Sequence, residues 1–265
     1  MLKGVLHIHS KYSDGEFTLA EVRNIFIAEN CSFVCMTDHA EYFDEESLAR
    51  YVAECESLSD SNFRIVPGLE FRCERNMHIL GYHATKLTAS TKPEEVIRHI
   101  DTCDSAVSVI AHPKDDFFEW IESFSTLPQG IETWNSKYDG QYAPRSGTFA
   151  LLQKLKQRAP EMRAFYGLDL HWKKQFRNFF IHLDCDSAET DAIMNALISG
   201  KYTAQKDDLS LPSSGLLPQT VLEEFDRTHA RSSRMREFFK DGKKTLDRFG
   251  IRVPQSIKAQ LRRIF

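Results

Sequence analysis

Near the start of the chain, His7 and His9 stand one residue apart in "HIHSKYSDG", and Asp14 follows in the same stretch. Side chains at i and i+2 of a strand share a face. "GVLHIHS" has the apolar content of a short strand, so both imidazoles would leave its C-terminal end side by side, an arrangement that suits a metal ion. Surface histidines also pair by chance, so the rest of the chain decides. Metal-capable residues recur at the ends of the apolar runs. Asp38 and His39 close "FVCMTDHA", Glu70 lies in "RIVPGLEF", His78 opens "HILGY" and His112 ends "AVSVIAH". Asp169 and His171, again at i and i+2, end "YGLDLH". Imidazole and carboxylate together suit Zn²⁺, Mn²⁺ or Fe, and these groups are too many for a single tetrahedral ion.

The elements that would position them alternate. Strand candidates are "GVLHIH", "FVCMTD", "RIVPGLEF", "MHILGY", "AVSVIAH", "GIETWN", "MRAFYGLDLH" and "FFIHL". Between many of them lie stretches of helical periodicity: "TLAEVRNIFIAEN", "DEESLARYVAECESL", "KPEEVIRHIDTC", "RSGTFALLQKLKQR" and "AETDAIMNALISG". Thr18 and Glu21 have capping-box spacing, and Gly200 is placed to end the last of these helices. Strands alternating with helices predict an α/β fold with a mainly parallel sheet, open or closed as a barrel. In such a barrel the C-terminal strand ends share one mouth, so distant residues converge there.

The chain of 265 residues is long enough for one large α/β domain with an appendage. A net charge of −4 makes no general call for nucleic acid, but it hides an asymmetry: residues 229–265 hold 11 Lys and Arg against 3 acids. "QKDDLSLPSSGLLPQ", residues 205–219, reads as a linker between the main unit (1–204) and a tail (220–265) of two basic amphipathic helices. No apolar stretch is long enough to span a bilayer, no signal-peptide pattern opens the chain, and six cysteines occur without a Cys-x-x-Cys pair. The expectation is a cytoplasmic protein whose cysteines are mostly buried thiols. The tail is expected to dock on the acidic body or a second subunit, to lie on an anionic surface, or to hold a short nucleic acid. The sequence leaves the oligomeric state open.

In order and spacing, "HIHSKYSDG", "TDHA", "PGLEF", "HILGY", "AHP" and "GLDLH" resemble the PHP (polymerase and histidinol phosphatase) superfamily, from Leu2 to Ala204. The resemblance implies a distorted seven-stranded (β/α) barrel holding up to three divalent ions. Residue by residue, it implies that His7, His9, Glu70 and Asp169 surround one ion. Glu70 bridges to a second, held also by His78 and His112, while Asp14, His39 and His171 hold the third. Asp38 is expected to orient a ligand or the strand end, and His78 is favoured over His83 by the motif.

The chemistry that follows is phosphoester hydrolysis. Divalent ions about 3.5–4 Å apart can activate a water and clamp the attacking and leaving oxygens of a phosphate. A hydroxide held by the ions would attack phosphorus, with Asp169, His171, Glu70 and His39 closest to the chemistry. The resemblance implies phosphomonoesters, such as histidinol phosphate or a nucleotide, with exonuclease-type cleavage of short nucleic acids as the nearest variant. Arg72, Lys114, Asn135, Lys137 and Arg145 are candidates for the phosphate. Trp134, Tyr138 and Tyr142 could stack on a ring. An amidohydrolase-type C–N hydrolase and a non-catalytic, metal-stabilised module are the rivals.

Overall fold

Helix boundaries follow local chemistry. In a computed structural model, which describes residues 1–231 and 234, Thr18 accepts a hydrogen bond from the Glu21 amide (3.2 Å) while Glu21 accepts from the Thr18 amide (2.8 Å). This reciprocal cap starts α1 (Leu19–Ala28) as the spacing predicts. Asp44 caps α2 (Glu45–Ser57), and Pro93 opens α3 (Pro93–Ile100), where its missing N–H has no partner to lose. Short α4 (Phe118–Glu122) was not legible in the sequence. It is followed by α5 (Ser146–Leu155) and α6 (Thr190–Ser199). Gly200, at φ 71°, takes the left-handed conformation that ends α6, as expected of a C-terminal glycine. A seventh helix, α7, spans residues 219–231.

The strands are β1 (Leu2–Ile8), β2 (Phe33–Met36), β3 (Asp38–His39), β4 (Arg64–Val66), β5 (Gly68–Arg72), β6 (His78–Tyr82), β7 (Val107–Ala111), β8 (Gly130–Asn135), β9 (Arg163–Gly167), β10 (Phe179–Leu183), β11 (Tyr202–Lys206) and β12 (Leu209–Pro212). They form a mixed α/β fold with two six-stranded sheets, β12-β11-β10-β1-β2-β4 and β3-β5-β6-β7-β8-β9. The expected closed seven-stranded barrel is therefore corrected: among the described residues no barrel closes. Two of the predicted strands are each split between the sheets. The ladder of "RIVPGLEF" breaks at Pro67, which has no N–H to give, and "FVCMTD" breaks at Thr37. At the opposite seam the isolated pair Ile8–Leu170 joins β1 to the chain beyond β9, through bonds from the His9 amide to Leu170 O (3.0 Å), the Leu170 amide to His7 O (3.2 Å) and the Leu168 amide to Leu6 O (3.1 Å).

The core fills the space between the strands and helices with large side chains such as Trp134, Tyr82, Phe33, Phe149 and Phe165, all essentially fully buried. Five of the six cysteines are buried as expected and all are free thiols, which burial makes harder to ionise at Cys31, Cys35, Cys55 and Cys73. The linker expected at 205–219 is also corrected. It begins in a hairpin, with β12 paired to β11 and Leu211 fully buried. The alternation of Leu209 and Leu211 was the missed signal. From the tail, α7 inserts Phe225 against Trp134 and Phe149 (ring centroids 6.4 and 6.2 Å). The amphipathic stripes expected after residue 234 lie outside the described residues.

Candidate metal centre

The ends of the strands and the two seams carry the chemistry. At the end of β1 the pairing with β2 shifts register between Leu6 and Ile8, and His7 sits in that irregularity at φ 64°. His112 follows β7 at φ 28°, and Asp169 follows β9 at φ 53°. Left-handed backbone at a non-glycine residue costs about 1–3 kcal/mol, and such strain concentrates at functional sites. Three candidate ligands are thus held in conformations that only the surrounding fold enforces.

All nine expected ligands meet in one cluster. Four overlapping groups have donor atoms within 4.8 Å of one another: His9, Asp14, His39 and His171; His7, His9 and Asp169; His7, Glu70 and His112; His39, Glu70 and His78. His7, His9, His39 and Glu70 each belong to two groups, so the geometry draws shared ligands rather than three separate sets. Glu70 lies at the hub. Its Oε1 is 2.7 Å from His78 Nδ1 and 3.2 Å from His112 Nε2, and its Oε2 is 3.2 Å from His9 Nε2, 3.4 Å from His7 Nε2 and 3.5 Å from His39 Nδ1. Asp14 Oδ1, on the loop after β1, reaches His171 Nε2 at 3.1 Å and His39 Nε2 at 3.7 Å.

Burial and charge set the protonation of this cluster. Burial drives His9 down to about 3, so its ring stays neutral, with one nitrogen carrying the proton and the other bare. Burial also pulls on His7, but the charges of Glu132, Asp169 and Glu70 outweigh it and raise His7 well above the usual range. Burial opposes ionisation of Glu70 and Asp169, yet the histidines around them hold both well below the carboxylate range. Burial lowers His171 but Asp14 and Asp169 lift it further, to about 9, while at Asp14 the imidazoles of His171, His9 and His39 outweigh burial and bring it down to about 2.

Whether a divalent ion fits here is testable on the polar atoms themselves. Both ring nitrogens of His9 and Nδ1 of His39 are buried without a hydrogen-bond partner, although His9 Nε2 approaches Glu70. A buried polar atom left unpaired costs about 1–3 kcal/mol, and a cation removes that deficit at several of these atoms together. Hard and borderline donors, carboxylate and imidazole, are the right set for Zn²⁺, Mn²⁺ or Fe.

One residue of this site escaped sequence reasoning. Glu132, buried in β8, accepts from His7 Nδ1 (2.8 Å), the His112 amide (2.9 Å) and Asn135 Nδ2 (2.9 Å). It fixes the His7 ring so that Nε2 faces Glu70 and Asp169. Its signal was an acid in the middle of "GIETWN", a strand buried along its whole length. Asp38 does orient the strand end: it accepts from the Ser10 amide (2.8 Å), Ser10 Oγ (2.9 Å) and Ser13 Oγ (2.6 Å), tying down the loop that carries Asp14. His78 points at Glu70, whereas His83 bonds Asp104 O.

The expected phosphate contacts divide. Lys137 Nζ lies 2.9 Å from Asp169 Oδ1, beside the cluster. Asn135 is instead fully buried, bridging Glu132 and Asp169 Oδ2 (3.2 Å). Arg145 is engaged by Asp139 (2.6 Å), Asp115 (2.7 Å) and Pro113 O (2.7 Å), so its guanidinium fork is occupied. Arg72 and Lys114 are exposed. Trp134, expected to stack on a ring, is fully buried and bonds Gly140 O through its indole N–H (3.0 Å).

Known proteins resemble this chain at both levels. In sequence, the chain is 28% identical over 137 residues to the DNA polymerase/3'-5' exonuclease PolX of Bacillus subtilis (strain 168), covering 42% of this chain and 23% of that protein. The chain therefore spans about a quarter of that curated relative. In structure, it resembles a two-domain protein from Bacteroides vulgatus ATCC 8482 containing a predicted PHP-like metal-dependent phosphoesterase, with a TM-score of 0.53 and 17% identity over 85% of this chain and 69% of that one. PsfC from Pseudomonas syringae PB-5123 matches with a TM-score of 0.53 and 12% identity, over 87% of this chain and 98% of that one. These likenesses are of fold. A family model described as the PHP domain matches residues 6–164, which contain seven of the nine clustered ligands. The chain belongs to the PHP domain family.

Proposed function

We propose that this protein is a metal-dependent phosphoesterase with up to three divalent ions in the cluster around Glu70. The observation that carries this reading is the convergence of nine imidazoles and carboxylates, among which both ring nitrogens of His9 and Nδ1 of His39 are buried without a hydrogen bond. Divalent ions held there would lower the pKa of a water and neutralise the oxygens of a phosphoester. The chain's own groups do the rest. Glu132 holds the proton on His7 Nδ1 and turns Nε2 toward Glu70 and Asp169, where a bound ion would take the place of its proton. Lys137 places its ammonium beside Asp169, where a non-bridging phosphate oxygen would meet it. Asp14 is the most exposed of the acids, with 38% of its side chain open, and so stands at the mouth. Asp169, His171, Glu70 and His39 would lie nearest the reacting phosphorus.

The first substrates to test are phosphomonoesters of small alcohols and nucleotides. Phosphodiester cleavage is the second reading, favoured by the likeness to PolX, whose name includes a 3'-5' exonuclease. Phosphate release from a panel of phosphomonoesters and short oligonucleotides should be measured with Mn²⁺-loaded wild type and Asp169→Asn. Turnover by the wild type, at least a hundredfold above the variant with unchanged circular dichroism, is expected. Equal rates would remove Asp169 from the site, and C–N hydrolysis with a bound-metal count near one would favour the amidohydrolase-type alternative.

A further inference from the structure

We propose that Lys137 is a tethered cation that weakens the hold on an ion at Asp169 and yields when a phosphate dianion takes up its ammonium, so that this ion and phosphate bind cooperatively. This rests on the phosphoesterase reading of the cluster and adds how its last ion is admitted. Asp169 Oδ1 is the oxygen that an ion shared with His7 and His9 would use, since it stands 3.8 Å from the Nε2 of each. Lys137 Nζ lies 2.9 Å from that same oxygen, and 3.4 and 3.5 Å from the ring nitrogens of His171. Among the described residues no other lysine or arginine forms an ion pair with a carboxylate of the cluster. The ammonium and an ion at Asp169 therefore share one acceptor, and they repel each other where little water screens them.

Most lysines carry the ammonium out into water on a flexible stem, whereas Lys137 is fixed at both ends. Asn135 Oδ1 accepts from the main-chain amides of Lys137 and Tyr138 (3.1 Å each). Nδ2 of the same residue donates to Asp169 Oδ2 (3.2 Å), so one side chain places both the turn and the carboxylate that its lysine meets. The Ser136 amide bonds Gly167 O (3.0 Å) and Ser136 Oγ bonds Leu168 O (2.9 Å), which stitches the turn to the segment carrying Asp169. The Lys137 side chain is 24% open, enough for a phosphate oxygen to reach it. Burial works against its charge, but Asp169 more than offsets this and holds Lys137 above the usual range.

Charge balance then sets the order of filling. The nine ligands include three carboxylates, Asp14, Glu70 and Asp169. Two divalent ions already balance them, so a third enters against the charge of the ammonium. A phosphate dianion reverses this. It accepts from Lys137, lifts the ammonium's claim on Asp169 Oδ1 and adds negative charge beside the ions. Such coupling is reciprocal, so the ion favours phosphate by the factor that phosphate favours the ion.

The test is isothermal titration of the full-length wild type, Lys137→Met and Lys137→Gln with Mn²⁺, in the absence and presence of inorganic phosphate. Both neutral variants are expected to bind the weakest ion about 10- to 100-fold more tightly than wild type. Phosphate titrated into the Mn²⁺-saturated variants should bind about tenfold more weakly than to wild type. The signs are opposite, whereas damage to the site would weaken both ligands. Phosphate should tighten the weakest ion by about 5- to 150-fold in wild type, and by less in either variant, where only its direct contact with the ions remains. Unchanged or weaker Mn²⁺ binding in the neutral variants overturns the proposal. So does tightening in only one of them, which assigns the effect to side-chain shape, or an equal gain from phosphate in all three proteins. Each of these leaves the phosphoesterase reading standing, whereas an absence of Mn²⁺ binding by all three proteins would overturn both.

Discussion

Glu70 carries its charge where water is excluded, and five imidazoles lie within 3.5 Å of its oxygens. A buried carboxylate survives only when it is paired or hydrogen-bonded, so the cluster is electrostatically closed around its acids and open at its imidazoles. Glu132 decides which imidazole nitrogens are open. Its two oxygens accept from a ring N–H, a main-chain amide and a side-chain amide, and an amide in its place must point a donor at a donor. Glu132→Gln is expected to weaken ion binding about 10- to 100-fold, read by competition with a chromophoric chelator. Unchanged affinity would show that His7 is oriented by other contacts. All nine clustered groups were legible in the sequence because their types and places in or beside the apolar runs match motifs that resemble the family, which supplied the full ligand set. Glu132 was not, since an acid inside a strand looks the same whether it faces solvent or a histidine. Arg145 and Asn135 were legible as polar residues near the site, but their partners Asp139 and Glu132 were fixed only by packing.

At the scale of elements, the site depends on strands that come close enough for their contents to touch. Gly167 ends β9 directly behind Glu132: a Cβ there would stand 1.9 Å from Glu132 Oε1 and 2.9 Å from the Cβ of His7. Gly167→Ala must therefore displace the carboxylate that orients His7. It is expected to lower ion stoichiometry, measured by elemental analysis, more than it lowers the melting temperature. A normal ion count in a folded Gly167→Ala protein would show that Glu132 is dispensable. The helices and most strands were readable from caps and periodicity. The interruptions at Thr37 and Pro67, which turn two predicted strands into four and separate the sheets, depend on which neighbours pair and so were not.

Across the whole molecule, the ions proposed for the cluster would add to what the chain beyond the last expected strand contributes. Ligand bound only to the native state stabilises it by mass action, about 2.7 kcal/mol at a hundredfold excess over Kd. For a unit of this size that amounts to about 5–10 °C in Tm. Chelation should lower Tm by that amount and abolish hydrolysis, with Mn²⁺ or Zn²⁺ restoring both; activity that survives chelation would end the metal mechanism. Truncation after residue 204 removes β12 and Phe225, which is 5% exposed against the core. Losing one such aromatic costs about 3–5 kcal/mol, so the truncated chain should be insoluble. A soluble, cooperatively melting fragment would show that the unit ends at residue 204.

What the sequence determined by itself was chemical and local: the donor types, their place at strand ends, the helix caps, and the family to which their order points. Those features lie within a few residues of one another, or in one residue's own side chain, so the linear chain records them. Only the tertiary structure decided that His7, His9 and His39 join Glu70 in being shared between groups, that Glu132 stands behind His7, and that the strands divide into two sheets. Each of these is a relation between residues far apart in the chain, set by which strands pair and how the core between them packs.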